Sequence, residues 1–289
     1  MSHFTVLVIG DNVDQQLAPY DNSIQTAARV RKEVSEEDKE QMVDYYKRNT
    51  FFTYFLPFEE LYKIKGNDWN GNSWVKQDGV WVEITTYNPD SKWDWYSVGG
   101  RWTGYFKLKP GARGKTGEPG FMSKPPKKGY ADIVKKGDID IESMRNDAGE
   151  SAGKAYDIAM EIFGDTPVNK TWVEIKNSVS DIEDSRGLYG DQPRVKAWKE
   201  NPKTKEHFGF FTSPDDFLIS KEEYVNNARN SAITPFAVVK DGKWYEKGEM
   251  GWWAMVSNEK DQKEWDEQFT KMFDELPDET LLTLVDCHI

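Results

Sequence analysis

Runs of hydrophobic positions predict strands near both ends of the chain and in the first hundred residues. Residues 4–9 form a continuous, β-branched apolar run, which is typical of a buried strand. Residues 73–84 place Asp78-Gly79 between two β-favouring arms, and the same pattern recurs around Asp241-Gly242. Both patterns predict β-hairpins with two-residue turns. Residues 11–34, which follow the first run, are more polar, and we expect them to form a polar connection.

Hydrophobic positions at helical spacing predict several helices. Ser35, followed by acidic residues, predicts a helix over residues 35–48 that Ser35 caps. Residues 150–163 have a helix-favouring composition and end at Gly164, a residue that suits a helix C-terminus. The strongly apolar run at 51–58 must be covered by another part of the protein.

The clearest helical pattern lies at residues 257–276, between Ser257 as a predicted cap and Pro277 as a stop. Its apolar stripe consists of Trp265, Phe269, Met272, Phe273 and Leu276. This stripe predicts an amphipathic helix that packs on a sheet. Predicted strands at 252–256 and 281–285 flank the helix, and they would form a right-handed βαβ unit if they were parallel.

These patterns together predict an α+β fold with mixed or antiparallel sheets, Trp-rich hairpins and a C-terminal amphipathic helix between two strands. We divide the chain into an N-terminal α+β region with Trp-rich strands (1–108), a basic, flexible Gly/Pro-rich segment (109–146) and a C-terminal α+β region (147–289). Residues 109–129 hold five glycines and four prolines, which excludes a helix, and they show no strand periodicity. A loop of this length is usually functional or disordered.

The net charge of −12 is unevenly distributed along the chain. Residues 92–136 carry 11 Lys/Arg against 3 Asp/Glu, while residues 1–91 carry −6 and residues 137–289 carry −14. A basic patch on an acidic body can meet a phosphate group or an acidic protein surface, or it can be a solvated loop without a partner. The acidic remainder repels nucleic acid, so we do not expect direct nucleic-acid binding.

The single cysteine, Cys287, excludes an internal disulfide and is typical of a protein in a reducing compartment. No apolar stretch approaches the roughly 20 residues that a membrane helix needs, and no secretory leader is recognised at the N-terminus. We therefore expect a cytoplasmic protein that does not bind membranes.

Six of the twelve tryptophans lie between Trp69 and Trp102, directly before the basic segment. The tryptophans of such a cluster can fill the hydrophobic core, anchor a protein partner, or form a surface on which bases or sugars stack. In the core interpretation, the Gly99-Gly100 pair forms a turn or bulge and Arg101 stacks on an indole. The candidate contact residues are Trp93, Trp95, Tyr96, Arg101, Trp102, Lys109, Arg113, Lys115, Lys124, Lys127 and Lys128.

The sequence evidence for a catalytic or cofactor site is weak. Gly114-Lys115-Thr116 resembles a phosphate-binding loop, but position 109 is lysine instead of glycine, and the following glycines and proline prevent the required helix. Asp94 stands between two tryptophans, as a sugar-cleaving carboxylate could, yet among 50 acidic residues such proximity is uninformative. No catalytic residue and no cofactor is therefore predicted, and we expect a binding protein more than an enzyme.

A metal or nucleophile site would have to combine His3, His207 or His288 with Cys287. Adjacent residues of a strand point to opposite faces, so at most one of Cys287 and His288 can share a site with His3. This falls short of a zinc ligand set, so no metal is predicted. Cys287 is then a small buried thiol on a terminal strand.

Five segments of the sequence resemble a family of bacteriophage proteins of similar length, with the similarity running from end to end. Two of the segments are Ser-His-Phe-Thr-Val-Leu-Val-Ile-Gly-Asp at 2–11 and Lys-Trp-Asp-Trp-Tyr-Ser-Val-Gly-Gly-Arg-Trp at 92–102, and the others are residues 17–20, 248–253 and 284–289. The resemblance implies an accessory protein that acts in the host cytoplasm. In size and phage setting the chain also resembles the phage inhibitor of the bacterial Gabija defence system. That resemblance implies a multimeric, non-enzymatic sheath around a nuclease complex, and it identifies no functional residue.

The expected function is therefore a phage-encoded inhibitor of a Gabija-like antiphage defence complex. It would act without catalysis, by stoichiometric protein binding that blocks the access of a nuclease to DNA, and we expect a homo-oligomer. The alternatives are a nucleotide- or sugar-binding protein or enzyme that uses the Trp-rich cluster, and a structural part of the virion.

Overall fold

The structure is a computed structural model that describes residues 2–49, 68–69, 72–121 and 123–289. Helix makes up 40% and strand 26% of it, and the sheets are mixed and antiparallel, which confirms the predicted α+β class. The apolar run at 51–58 lies outside the described residues.

The chain folds as two compact units. One contains the residues up to Val13 together with Tyr96–Cys287, and the other contains Asp14–Trp95 with His288–Ile289. These units do not follow the predicted boundaries after residues 108 and 146, because strands from both ends of the chain enter one sheet. A chain-wide pairing of this kind leaves no local signal in the sequence.

The first unit is built on a seven-stranded sheet in the order β12-β11-β1-β15-β6-β8, with β10 also paired to β15. The strands are β1 (His3–Ile9), β6 (Trp95–Gly100), β8 (Glu118–Pro119), β10 (Ile133–Lys135), β11 (Ala237–Lys240), β12 (Lys243–Glu246) and β15 (Leu281–His288). β1 runs parallel to β11, whereas β11 and β12 form the antiparallel hairpin predicted around Asp241-Gly242. The predicted first strand and the second hairpin are thus both confirmed.

A helix over Gln262–Asp274 covers this sheet and confirms the predicted amphipathic stripe. Its side chains Trp265, Phe269, Phe273 and the following Leu276 are buried in one cluster with the strand residues Leu7, Val238, Leu282 and Leu284. The predicted cap is wrong, because Asp261 accepts the hydrogen bond of Lys263 N–H at the helix start. Ser257 instead belongs to a strand, since its backbone pairs with Glu249.

The predicted strand at 252–256 is wrong, so the βαβ unit that it would form with a parallel partner is not present among the described residues. Residues 252–254 form a 3-10 turn, and Val256–Ser257 pairs with Glu249–Met250 in a separate two-stranded sheet. The strand before the helix therefore does not lie beside Leu281–His288. Two short apolar runs flanking a helix suggested strands, but periodicity does not reveal which strands pair.

The rest of the first unit is mainly helical. Its helices are Ile141–Phe163, Trp172–Ser178, Ile182–Gly190, Pro193–Glu200, Pro202–His207 and Lys221–Ser231. The longest one ends before Gly164 as predicted, but it begins at Ile141 instead of 150. Asp140 makes the earlier start possible, because its carboxylate caps the helix by accepting the Ser143 N–H. Short two-stranded sheets complete the unit: β7 (Phe106–Lys107) with β9 (Tyr130–Ala131), and β13 (Glu249–Met250) with β14 (Val256–Ser257).

The second unit contains an antiparallel sheet in the order β2-β5-β4-β3, a short helix at Val13–Leu17 that begins one residue before the unit, and a helix at Glu36–Asn49. Its strands are β2 (Gln25–Glu33), β3 (Asp68–Trp69), β4 (Asn72–Gln77) and β5 (Val80–Tyr87). The hairpin at Asp78-Gly79 is confirmed: both residues have positive φ, 49° and 87°, as a type I′ turn requires. The strand at Gln25–Glu33 was not predicted, because most of its side chains are exposed and polar and give no alternation.

The predicted cap of the helix at Glu36–Asn49 is confirmed. Ser35 Oγ accepts the Asp38 N–H at 3.1 Å, and Asp38 Oδ2 accepts the Ser35 N–H at 3.0 Å. The Asp38 carboxylate also pairs with Lys32 at 2.5 Å. The hydrogen bonds from Lys32 and Ser35 lower the pKa of Asp38 from its ordinary 3.8 to about 2.

We expect Asp38→Asn to lower stability by about 1 kcal/mol at neutral pH, since the ion pair is partly exposed and the cap is local. Because the pKa of Asp38 is lower in the folded protein than in the unfolded chain, its contribution is present above about pH 4 and is lost as the pH falls towards 2. The difference in melting temperature between wild type and variant should therefore shrink over that range. Glu40→Gln removes an equal charge from the same helix and controls for net charge, and an unchanged difference down to pH 2 contradicts the prediction.

Candidate interaction site

Residues 101–105, which follow β6, form a loop whose backbone is held by a fully buried carboxylate, and we call them the braced loop. Asp132 Oδ1 accepts the N–H groups of Gly104 at 2.7 Å and Tyr105 at 3.0 Å. Its Oδ2 accepts the Thr103 hydroxyl and the Gly117 N–H, both at 2.9 Å. All four partners donate, as they must because a carboxylate can only accept hydrogen bonds. A single side chain thereby fixes the course of the loop and ties it to residue 117.

A second buried carboxylate holds the start of the braced loop. Asp286 Oδ2 accepts the Arg101 N–H at 2.9 Å, and Asp286 Oδ1 lies 2.8 Å from His3 Nδ1. Asp286 is 1% exposed, and the His3 side chain is largely buried beside it. The Arg101 side chain, in contrast, is exposed at the surface. The loop therefore presents a guanidinium from a backbone that two buried aspartates fix.

The basic segment next to this loop is packed on the sheet and is not a free arm. Glycines stand at every third position of residues 111–120, which we call the glycine segment. A Cβ on Gly117 would lie 1.9 Å from the carbonyl oxygen of Val98, and one on Gly120 would lie 2.8 Å from Arg101 N. Only glycine permits these approaches.

Backbone hydrogen bonds complete this attachment. Lys115 N–H donates to the Ile133 carbonyl at 2.9 Å, and Gly120 N–H donates to the Gly100 carbonyl at 2.8 Å. The strand Glu118–Pro119 runs parallel to β6, so the expectation of a segment without strand structure is wrong. A three-residue spacing carries no two-residue alternation, which is why sequence periodicity did not reveal the strand. No helix begins at Lys115, so the geometry of a phosphate-binding loop is not formed here.

The basic side chains singled out in the sequence are all exposed. They are Arg101, Lys109, Arg113, Lys115, Lys124, Lys127 and Lys128, which we call the basic residues. Lys109 Nζ also donates to the Gly137 carbonyl at 2.6 Å. Two further cations, Lys107 and Lys135, are engaged in ion pairs with Asp147 and Glu279, and these partners raise the pKa of both lysines.

The aromatic candidates divide between core and surface. In the first unit, Trp102 is half-buried and packs against the main hydrophobic cluster, and Tyr96 is also half-buried. In the second unit, Trp93 is only 7% exposed, and its indole N–H donates to the Leu17 carbonyl at 3.2 Å. Trp93 is therefore a core residue and is not available as a contact anchor.

Trp95 is exposed, with 45% of its surface accessible. Its ring stacks on the His288 imidazole with a centroid distance of 5.1 Å, and His288 Nδ1 lies 2.6 Å from Asp94 Oδ1. Asp94 thus orients the His288 ring, and the stacking on that ring holds the exposed Trp95 indole in one position.

The histidines and the cysteine do not come together as a metal or nucleophile site. His3 pairs with Asp286, His288 pairs with Asp94, and His207 lies on an exposed helix end. Burial raises the pKa of Cys287 well above its ordinary value, so the thiol stays protonated and is a poor nucleophile. Among residues 2–49, 68–69, 72–121 and 123–289, no group of three or more His, Cys, Asp or Glu side chains is placed to hold a metal ion.

Sequence reasoning identified Arg101 and the exposed lysines but missed Asp132 and Asp286, which hold the loop. Neither aspartate belongs to a motif, because their partners lie up to 283 residues away. The glycine spacing at 111, 114, 117 and 120 was the available signal, since it indicates a backbone that approaches another closely.

No protein-family model matches this chain, and neither a curated protein nor a solved structure matches it. Within the described part of the chain, no helix is both long and apolar enough to span a membrane.

Proposed function

We propose that the protein is a phage-encoded inhibitor of a Gabija-like antiphage defence complex and acts by stoichiometric binding, without catalysis. Bound to the complex in the host cytoplasm as a homo-oligomer, it blocks the access of the nuclease to DNA. The observation that supports this function is the braced loop, which presents the exposed Arg101 from a backbone fixed by Asp132 and Asp286.

Such a loop suits protein recognition for an energetic reason. Binding costs conformational entropy when the contacting residues must become ordered, and a loop that is already fixed avoids much of that cost. Arginine is also among the residues that contribute most at protein interfaces. The proposed contact surface therefore consists of Arg101 with the exposed basic side chains Arg113 and Lys115 of the glycine segment.

The charge distribution supports a competitor of DNA. Outside residues 92–136 the chain carries a formal charge of −20, and a nuclease channel that holds DNA is positively charged. The acidic surface of the inhibitor can occupy such a channel, while the basic residues contact acidic groups beside it. Complementary charges of this kind increase the association rate and fix the orientation of the complex.

The test is a DNA-cleavage assay with the purified Gabija complex and increasing amounts of the protein. We expect inhibition to reach its end point at a fixed molar ratio, as stoichiometric binding requires. Arg101→Ala should raise the concentration for half-inhibition by about 10- to 100-fold, the range of an interface hot spot. Arg186→Ala is the matched control, because Arg186 is an exposed arginine that forms a local ion pair with Glu183, three residues away.

Cleavage that continues at every ratio of inhibitor to nuclease contradicts the proposal. Thermal stabilisation of the protein by nucleotides or sugars, with no protein partner bound, favours the small-molecule alternative. Its presence in purified virus particles favours a structural part of the virion.

A further inference from the structure

The tip of the hairpin formed by β13 and β14 exposes two large apolar side chains. Trp253 has 79% and Met255 has 72% of its surface accessible, and both lie in residues 251–255, which we call the Trp253 tip. Large apolar groups that protrude together are uncommon on a soluble surface unless they contact something. The braced loop and the basic residues do not include this tip.

The backbone of the tip is strained and held in place. Trp253 and Ala254 are consecutive non-glycine residues in the left-handed region, with φ of 60° and 56°. Each such residue costs energy and persists only when its surroundings impose it, as at binding sites.

A buried hydroxyl imposes this conformation. Ser2, 1% exposed, donates from Oγ to the Gly251 carbonyl at 2.6 Å and accepts the Ala254 N–H at 2.8 Å. Gly251 N–H donates to the Met255 carbonyl at 2.8 Å and closes the turn. The exposed side chains are thus projected from a turn that is held by its own backbone and by Ser2, the residue before the first strand.

The residues around the tip carry a net negative formal charge, since positions 246–261 hold Glu246, Glu249, Glu259 and Asp261 against Lys247 and Lys260. Lys247 pairs with Glu259 at 2.7 Å, and Lys260 donates to the Glu246 carbonyl and to Gln268. Glu249, on the strand that leads into the tip, is exposed and accepts only a neutral donor, Ser257 Oγ, among the described residues. A surface that binds this tip favourably therefore carries positive charge around an apolar centre.

We infer that the Trp253 tip is an anchor that inserts into an apolar pocket of a partner protein, bordered by Lys or Arg side chains. Trp supplies a large rigid contact, and the unbranched Met255 adapts to an irregular pocket wall. An anionic lipid surface fits less well, because the neighbouring carboxylate of Glu249 is repelled by it. The inference rests on the proposed function, since it supplies a second contact with the same partner.

The experiment uses the full chain with a photo-reactive phenylalanine derivative at position 253, irradiated in lysate of host cells. We expect crosslinks to one protein, at a peptide that lines an apolar pocket with Lys or Arg at its rim. In parallel, Trp253→Ser and Met255→Ser should each weaken binding of that protein by about 10- to 100-fold. Because both side chains are exposed, the melting temperatures of these variants should match wild type.

Two further variants distinguish a specific anchor from non-specific hydrophobic binding. Phe210→Ser removes an even more exposed aromatic, 95% accessible, from a different turn and should leave binding unchanged. Ser2→Ala leaves the exposed surface intact but releases the tip, and it should weaken binding by about 5- to 10-fold through lost preorganisation.

The inference is overturned if Trp253→Ser binds the partner as tightly as wild type, or if Phe210→Ser loses as much affinity as Trp253→Ser. It is also overturned if position 253 crosslinks only to a second copy of this chain, or if the protein binds vesicles of anionic phospholipid through Trp253. If wild type binds and inhibits the nuclease while Trp253→Ser does so equally well, the anchor fails and the proposed function stands. If the crosslinked partner is not a defence nuclease, the proposed function fails and the anchor stands. If wild type binds no protein, both fail.

Discussion

Replacing Asp132 with alanine is expected to lower the free energy of unfolding by at least about 4 kcal/mol. The carboxylate accepts four hydrogen bonds at a position without solvent access. Its removal leaves the N–H groups of Gly104, Tyr105 and Gly117 without their acceptor, and each such loss costs about 1–3 kcal/mol. Urea denaturation of wild type and variant measures the difference.

Asp132→Asn is the informative control for this prediction. The amide can keep its oxygen towards Gly104 and Tyr105 and donate to the Thr103 hydroxyl, so that only the Gly117 N–H faces a donor. We expect about half the loss of the alanine variant, or about 2 kcal/mol. If both variants unfold within about 0.5 kcal/mol of wild type, Asp132 does not hold the loop.

Gly117→Ala is expected to destabilise the protein by about 2–3 kcal/mol, the range of an overpacked core substitution. The added Cβ would meet the backbone carbonyl of Val98 at 1.9 Å, and main-chain atoms cannot rotate away. The segment must then move off the sheet, which also breaks the hydrogen bond from Gly117 N–H to Asp132. Thermal melting and urea denaturation both detect a change of this size.

Gly209→Ala is the matched control for Gly117→Ala. A Cβ at Gly209 meets nothing within 4 Å, and neither glycine has a positive φ, so the pair differs only in packing. We expect the control to change stability by less than about 0.5 kcal/mol. Equal stability of the two variants would mean that residues 111–120 are a free arm, as the composition of the segment suggested.

The sequence predicted those elements that local chemistry determines. The strand His3–Ile9, the two Asp-Gly hairpins and the cap at Ser35 depend on residues within a few positions of each other, and all are present. The polar strand Gln25–Glu33 was missed because its pairing with Val80–Tyr87 comes from a partner some 55 residues away. The cap at Ser257 was wrong because Ser257 pairs across strands with Glu249, eight residues earlier, and therefore lies outside the helix.

The sequence pointed to the exposed basic side chains of the candidate site, but it did not reveal the two aspartates that hold the loop. Arg101 and the exposed lysines follow from charge counting, whereas Asp132 and Asp286 appear in the sequence as ordinary acids beside strand residues. Their role comes from the hydrogen bonds they accept from distant backbone groups, and those are a property of the tertiary structure. Trp93 and Trp95, two residues apart, show the same limit, since one is core and the other is exposed.

The strand Glu118–Pro119 is an edge strand of the seven-stranded sheet, and this position limits how another chain can bind there. It is only two residues long, and Pro119 lacks the N–H that a further strand would need. This edge therefore resists strand addition by another chain, a protection that natural sheets use against aggregation. A protein that binds beside Arg101 must recognise side chains, and the specificity of the contact then resides in charge and shape instead of a shared ladder of backbone hydrogen bonds.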